Sequence, residues 1–207
     1  FSNPSVGFFF MISGIHGLHM IGGMVALIRA ISRAFGQSAA RAMEYSVSNC
    51  LDTATGSLDI PSVYNGLPVT SIGSSAFFNN ALTNVKIPDS VTSIGINAFA
   101  LCRNLSGVII PKRVTSIGES AFAMCSRLSN ITIPDSVTSI EDYAFGNCAD
   151  LSSITFEGNA PTFGSNVFLN SDSVTIYYDS HYSGWSSTVA GRPAVQTNTL
   201  TFSLNDD

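Results

Sequence analysis

The segment Val91-Thr-Ser-Ile-Gly-Ile-Asn-Ala-Phe-Ala-Leu-Cys-Arg-Asn-Leu-Ser-Gly-Val-Ile-Ile-Pro111 decides the fold. Its opening pattern, Val-Thr-Ser-Ile-Gly-x-x-Ala-Phe, returns every 22 to 23 residues. The copies run from Val69 to Ser90, Val91 to Arg113, Val114 to Ser136 and Val137 to Thr162, with a degenerate fifth from Phe163 to Tyr178. A repeat of this length marks a solenoid, because one such unit cannot bury its apolar face alone and must stack on its neighbours.

Within the quoted copy, Val91, Ile94, Ala98, Phe99, Cys102, Leu105, Val108 and Ile110 occupy the recurring apolar positions and are expected to face inward. Val108 and Ile110 alternate with Gly107 and Ile109, the period-two pattern of a strand with one buried face. Pro111 has no amide hydrogen and should end that strand. Gly73, Gly95 and Gly118 follow an Ile at one place in each copy, where a tight turn is expected. The Ala-Phe-x-x-Cys segment is expected to form a single helical or 3₁₀ turn. Phe77, Phe99, Phe122 and Phe145 would then stack as an aromatic spine.

The outward strand positions define the expected binding surface: Asn84 and Lys86, Gly107 and Ile109, Asn130 and Thr132, Ser153 and Thr155. On the adjoining face lie Thr-Ser columns, Thr92, Ser93, Thr115, Ser116, Thr138 and Ser139. This surface is small, polar and nearly uncharged, which suits contacts with protein or glycan; solvated rungs without a specific partner are the competing reading.

Composition narrows the classes. The chain has 207 residues, of which 45% are apolar and only 11% charged, enough for one continuous core. Net charge is −5, and with Arg29, Arg33 and Arg41 against Glu44 in the first 46 residues the remainder carries −7. No basic stripe is present to neutralise phosphates, so a nucleic-acid partner is not expected. Cys102, Cys125 and Cys148 are spaced 23 residues apart, the repeat itself, and Asn80 holds the same slot one copy earlier. They read as buried free thiols in a core column, with neighbouring-rung bridging as the alternative; zinc would require short C-x₂₋₄-C pairs. His181 lies near Asp179 and Ser183, but sequence neighbours seldom converge as nucleophile and base, and a histidine in a terminal cap is expected instead. No cofactor, metal site or enzymatic activity is expected.

The N-terminal stretch has a different character. Val6 to Ile28 contains no charged residue, long enough at about 1.5 Å per residue to cross a hydrocarbon core of about 30 Å. A transmembrane helix is expected over residues 1–30, in preference to a signal peptide, which would need a positive n-region and a shorter apolar run. His16 and His19 share a face with Gly14 and Gly17, and Gly22 belongs to a small-residue stripe, so this helix should pack against another. A metal or haem reading of the two histidines lacks a third ligand. The run Phe8 to Ile28, with Gly14, His16, Gly17, Leu18, His19 and Gly22 or Gly23, resembles a transmembrane helix of haem-copper (cytochrome c) oxidase subunit III. That resemblance implies a supporting role without redox centres and other oxidase subunits as partners.

The repeats, with Val-Thr-Ser-Ile-Gly, Ala-Phe-x-x-Cys and Leu-x-x-Val-x-Ile-Pro, resemble the BspA-like leucine-rich-repeat family from about Tyr45 to Val195. The resemblance implies an α/β leucine-rich-repeat solenoid of about five coils with short parallel strands and short helical turns, preceded by the transmembrane-type helix. It also implies a non-enzymatic, adhesion-type protein-binding module at a membrane or cell surface, for which the apolar run at residues 6–28 is the expected membrane anchor. Tyr177 to Trp185 and Gly191-Arg-Pro193 resemble the segment that closes such arrays. The expected organisation is a membrane helix at 1–30, a linker at 31–46, the solenoid with its cap at 47–195 and a tail at 196–207.

Overall fold

The computed structural model describes residues 45–47, 55–64 and 66–197. Their chain forms short strands that turn back into register once per repeat. In order these are β1 (Tyr45–Val47), β2 (Thr55–Asp59), β3 (Val63–Tyr64), β4 (Leu67–Ile72), β5 (Ala81–Lys86), β6 (Ser93–Ile94), β7 (Gly107–Ile109) and β8 (Ser116–Ile117). There follow β9 (Asn130–Ile133), β10 (Ser139–Ile140), β11 (Ser153–Phe156), β12 (Thr162–Phe163), β13 (Thr175–Asp179), β14 (Thr188–Val189) and β15 (Arg192–Thr197).

Each coil contributes one strand to each of two faces. The Thr-Ser-Ile segments build a ladder in the order β1-β4-β6-β8-β10-β12, with β3 folded back on β4. The Val-x-Ile segments build the opposite face, as β2-β5-β7 and then β9-β11-β13-β15. Pairing between successive coils is parallel, as Ser93↔Ser116 and Ile154↔Ile131 illustrate. In the strands the alternation read from sequence holds: Val108 and Ile110 are buried whereas Ile109 is exposed.

The Ala-Phe-x-x-Cys segment is not helical, and the expected helical turns are corrected here. Among the described residues it is a run of tight turns with two left-handed residues per coil, such as Asn97 (φ 54°) with Leu101 (φ 64°) and Ser120 (φ 53°) with Met124 (φ 60°). The reason lies in where its amides point. Asn97, Phe99 and Leu101 donate to the carbonyls of Glu119, Ala121 and Ala123 in the next coil, at 2.8 to 2.9 Å. A helix would direct those donors along its own axis to residues four earlier. Alternating handedness sends every second amide sideways instead, and Asn, which fills half of the positive-φ positions in these turns, tolerates that conformation best after glycine.

The repeated glycine has a different cause from the one expected. Gly95 does not have positive φ; a Cβ there would lie 2.8 Å from the backbone nitrogen of Ser74 in the preceding coil. Gly118 meets Gly95 in the same way, 2.8 Å from its carbonyl carbon. Close stacking of coils, not turn geometry, excludes a side chain.

Between the two faces lies one apolar core. Phe77, Phe99, Phe122, Phe145 and Phe168 stack through it with ring centroids 5.1, 5.3, 5.5 and 6.0 Å apart and planes within 17° of parallel. At the C-terminal end Trp185 stacks on Tyr178 at 4.8 Å, leans on Phe156 at 4.8 Å and donates from Nε1 to the Gly158 carbonyl. Residues 1–30, with the oxidase-like segment and its helix-packing Gly14, His16, Gly17, His19 and Gly22, lie outside the described residues. Among the described residues no helix is long and apolar enough to cross a membrane.

The Phe122 ring is fully buried between two others, so Phe122→Ala should cost about 3 to 5 kcal/mol. Equilibrium denaturant unfolding measures this, and a loss below about 1 kcal/mol would contradict the stacked spine.

Candidate functional site

The residues that can meet a partner are those left over once coil-to-coil bonding is satisfied. The Thr columns are not among them. Thr92, Thr115, Thr138 and Thr162 each donate from Oγ1 to the carbonyl of the Thr one coil earlier, at 3.1 to 3.2 Å. Their hydroxyls tie the stack together. Thr70, at the start of the column, faces the register shift between Tyr45 and Ser46, and its buried Oγ1 has no hydrogen-bond partner among the described residues.

The cysteine column is likewise structural. Thiols of Cys102, Cys125 and Cys148 donate to the carbonyls of Phe77, Phe99 and Phe122, at 3.0 to 3.2 Å. Against the larger upward effect of burial, the backbone of the slot one coil earlier, Asn80, Cys102 and Cys125 in turn, pulls each thiol's pKa down. Ser171 continues the pattern, accepting from the Cys148 amide at 2.9 Å and donating to the Phe145 carbonyl at 2.8 Å. At the last step Arg192 takes over, with its guanidinium on the Phe168 carbonyl at 2.8 Å and on Asp172 at 2.7 Å. All three cysteines are free and buried. Burial pushes the Cys102 thiol up to about 11, the Cys148 thiol up to about 12 and the Cys125 thiol well above its ordinary range.

The Asp179, His181 and Ser183 cluster does not assemble a nucleophile and base. Asp179 holds His181 through both its backbone amide, at 2.9 Å, and its ring Nδ1, at 2.5 Å. Ser183 instead donates from its hydroxyl and its amide to Asn159, at 3.1 and 2.8 Å.

What remains is the outward face of the second ladder. Asn84, Lys86, Ile109, Asn130 and Thr132 are all exposed and line one open groove of about 830 Å³. Ser153 and Thr155 stand on the next strand, β11, beside the groove but not in its wall. Two aligned columns cross it. Asn84, Gly107, Asn130 and Ser153 form one, and Lys86, Ile109, Thr132 and Thr155 the other. Ile109, at 72% exposure, is the most exposed of the large apolar residues described. Gly107 leaves a notch that the Asn84 side chain covers, since a Cβ at Gly107 would lie 2.5 Å from Asn84 Oδ1. Asp89, Lys112 and Glu157 join the rim from the segments just past the strands. Sequence reading overlooked these three, although each lies close after an inward Ile or Phe whose place is set by the repeat.

Comparison with known proteins agrees with this architecture. The profile described as "BspA type Leucine rich repeat region" matches residues 66–188 in six copies. The match begins well after the oxidase-like segment and lends that resemblance nothing. A leucine-rich-repeat protein of T. pallidum has a similar crystal structure, with 26% identity and a TM-score of 0.59 over 65% of this chain and 62% of that one. The chain thus spans less than two thirds of that protein. A leucine-rich-repeat protein from Bacteroides capillosus is 38% identical over 51% of this chain and 86% of its own, with a TM-score of 0.46. No curated protein matches the chain.

The raised thiols fix a sign for alkaline stability. A neutral buried thiol favours the folded state below its unfolded value of 9.0, and that advantage is lost as pH rises from there toward about 11 for Cys102 and about 12 for Cys148. Stability should therefore fall above pH 9, by up to about 1.4 kcal/mol per pH unit for each thiol. Cys125→Ser, which copies Ser171, should make that slope shallower, as urea unfolding from pH 8 to pH 11 will measure. An unchanged slope would place the alkaline loss elsewhere.

Proposed function

The chain belongs to the BspA-type leucine-rich-repeat family, and from that membership we propose that it is a non-enzymatic, adhesion-type module that binds a partner protein through the outward face of its second ladder. The observation that carries this reading is the division of labour among polar groups. The hydroxyls of Thr92, Thr115, Thr138 and Thr162 and the thiols of Cys102, Cys125 and Cys148 are consumed by bonds to adjacent coils, whereas Asn84, Asn130, Thr132 and Thr155 stand exposed on a rigid strand array. A rigid array limits the ordering cost of association, which is what a broad polar contact requires. Ile109 supplies an apolar anchor amid the polar positions.

Surface presentation belongs to the same reading. Residues 6–28 are apolar and uncharged, and they supply the membrane anchor of the proposal.

An array of purified extracellular proteins, probed with the full chain, tests the docking face. Thr132→Glu with Thr155→Glu adds two negative charges to a face whose own four charges, Lys86 and Lys112 against Asp89 and Glu157, balance, and should weaken capture about tenfold or more, as measured by surface-immobilised binding. Glu119→Lys, on the exposed turn side, should leave it unchanged. Equal loss in both variants, or no capture by the unaltered chain, would overturn the assignment.

A further inference from the structure

The second ladder is not continuous. β5 pairs with β7, and β9 with β11, but no ladder joins β7 to β9 among the described residues, although the repeat places them one coil apart. Two bonds that flank this step on either side also lack a counterpart. Ser106 donates from its amide and hydroxyl to the Thr83 carbonyl, and Ser152 does the same to Ser129, yet no such bond runs from Ser129 to Ser106. On the opposite face the stack stays closed, with β6 and β8 in register. The coils therefore splay on one side only, and the groove lies over the opening. Val108, at its floor, is 8% exposed where the equivalent Val85 and Ile131 are 3% exposed.

We infer that this seam is a carbohydrate-binding site, taking a neutral oligosaccharide chain either free or carried on a partner glycoprotein. The inference rests on the reading of this face as the docking surface and names the chemistry it recognises. Four observations select that chemistry. The facing backbone edges of β7 and β9 offer both donors and acceptors, and hydroxyl groups can serve both. Asn84 and Asn130 bring carboxamides, which also donate and accept, to either side of Gly107. The four charged residues of the groove, Lys86 and Lys112 against Asp89 and Glu157, cancel, and none forms an ion pair among the described residues, so no net charge is asked of the ligand. Ile109 offers one aliphatic surface for the carbon face of a sugar ring.

An inserted peptide strand fits less well. It would need about 4.8 Å on each side, holding β7 and β9 about 9.6 Å apart. Their Cα atoms approach within 8 Å, too close for a further backbone between them.

The test is titration of the full chain, in sugar-free buffer, with maltohexaose, mannohexaose and chitohexaose, followed by calorimetry. In parallel, glycosylated ribonuclease B is compared with unglycosylated ribonuclease A to separate a protein-borne chain from a free one. At least one hexasaccharide should bind, with an affinity nearly unchanged between about 0.05 and about 0.5 M salt. Asn84→Ala with Asn130→Ala should weaken binding about tenfold or more without moving the thermal midpoint, and Thr132→Val should weaken it less. Binding of ribonuclease B but not A assigns the protein-borne source; binding of free hexasaccharide alone assigns the other. The proposal is overturned if no hexasaccharide binds and ribonuclease B is not preferred over A, if the Asn variant binds as well as the unaltered chain, or if binding collapses with salt. Capture of proteins by this face with no response to sugar would remove the carbohydrate and leave the docking reading intact. Absence of both would remove the face itself.

Discussion

Everything in this structure depends on backbone bonding between successive coils, because no coil contains enough secondary structure to satisfy itself. In the turn segment the amides of Asn97, Phe99 and Leu101 reach the next coil, and on the Thr-Ser-Ile face Thr115 and Gly118 reach back to Thr92 and Ile94. Buried amides left without partners cost about 1 to 3 kcal/mol each, so the stack is held in register by the sum of these directions. The aromatic spine is compatible with that register. A ring spacing of 5.1 to 6.0 Å in near-parallel planes follows from one Phe per coil at the stacking distance.

The same constraint explains the columns that look functional by composition. A Cys in each coil at fixed spacing suggests a metal or disulfide until its partners are known. Here the thiol is a compact donor that closes a carbonyl otherwise shared only with an amide of its own coil, as Phe99 accepts from both the Cys102 amide and the Cys125 thiol. Ser171 can replace it because the required property is one small donor that also accepts. Arg192 replaces it at the last step among the described residues, where its long side chain reaches in from β15 to the Phe168 carbonyl.

Sequence alone carried the strands and the core well, because burial with period two leaves a direct trace in Val108-Ile109-Ile110. It did not carry the turns. Short apolar segments such as Ala-Phe-Ala-Leu-Cys fit a helix and a left-handed turn series equally well by periodicity. The signal that separates them is the frequency of Asn and Ser at Ser75, Asn79, Asn97, Asn147, Asn166 and Asn170, which the positive φ values explain. Leu101, Met124 and Tyr143 hid that signal, since bulky residues in the left-handed region are unusual and are tolerated here only because the neighbouring coil fixes the backbone. Outward strand positions were legible from alternation; the rim charges Asp89, Lys112 and Glu157 were not, because they sit where alternation stops.

A repeat protein binds specifically only where its repetition fails. Identical rungs present identical chemistry at every step, so a ligand would slide among equivalent registers unless one step differs. In this chain that step lies between β7 and β9, where Gly107 interrupts a column of Asn and Ser and Ile109 interrupts one of Lys and Thr. The two irregular residues are adjacent in one strand and coincide with the missing ladder. Without a side chain, Gly107 leaves room for Asn84 to lie over it, on the strand that borders the open step. The break leaves β7 and β9 without the ladder pairing that joins the other successive strands described on this face. The departure from the repeat thus marks one register out of several, and the surrounding regularity holds that opening in place.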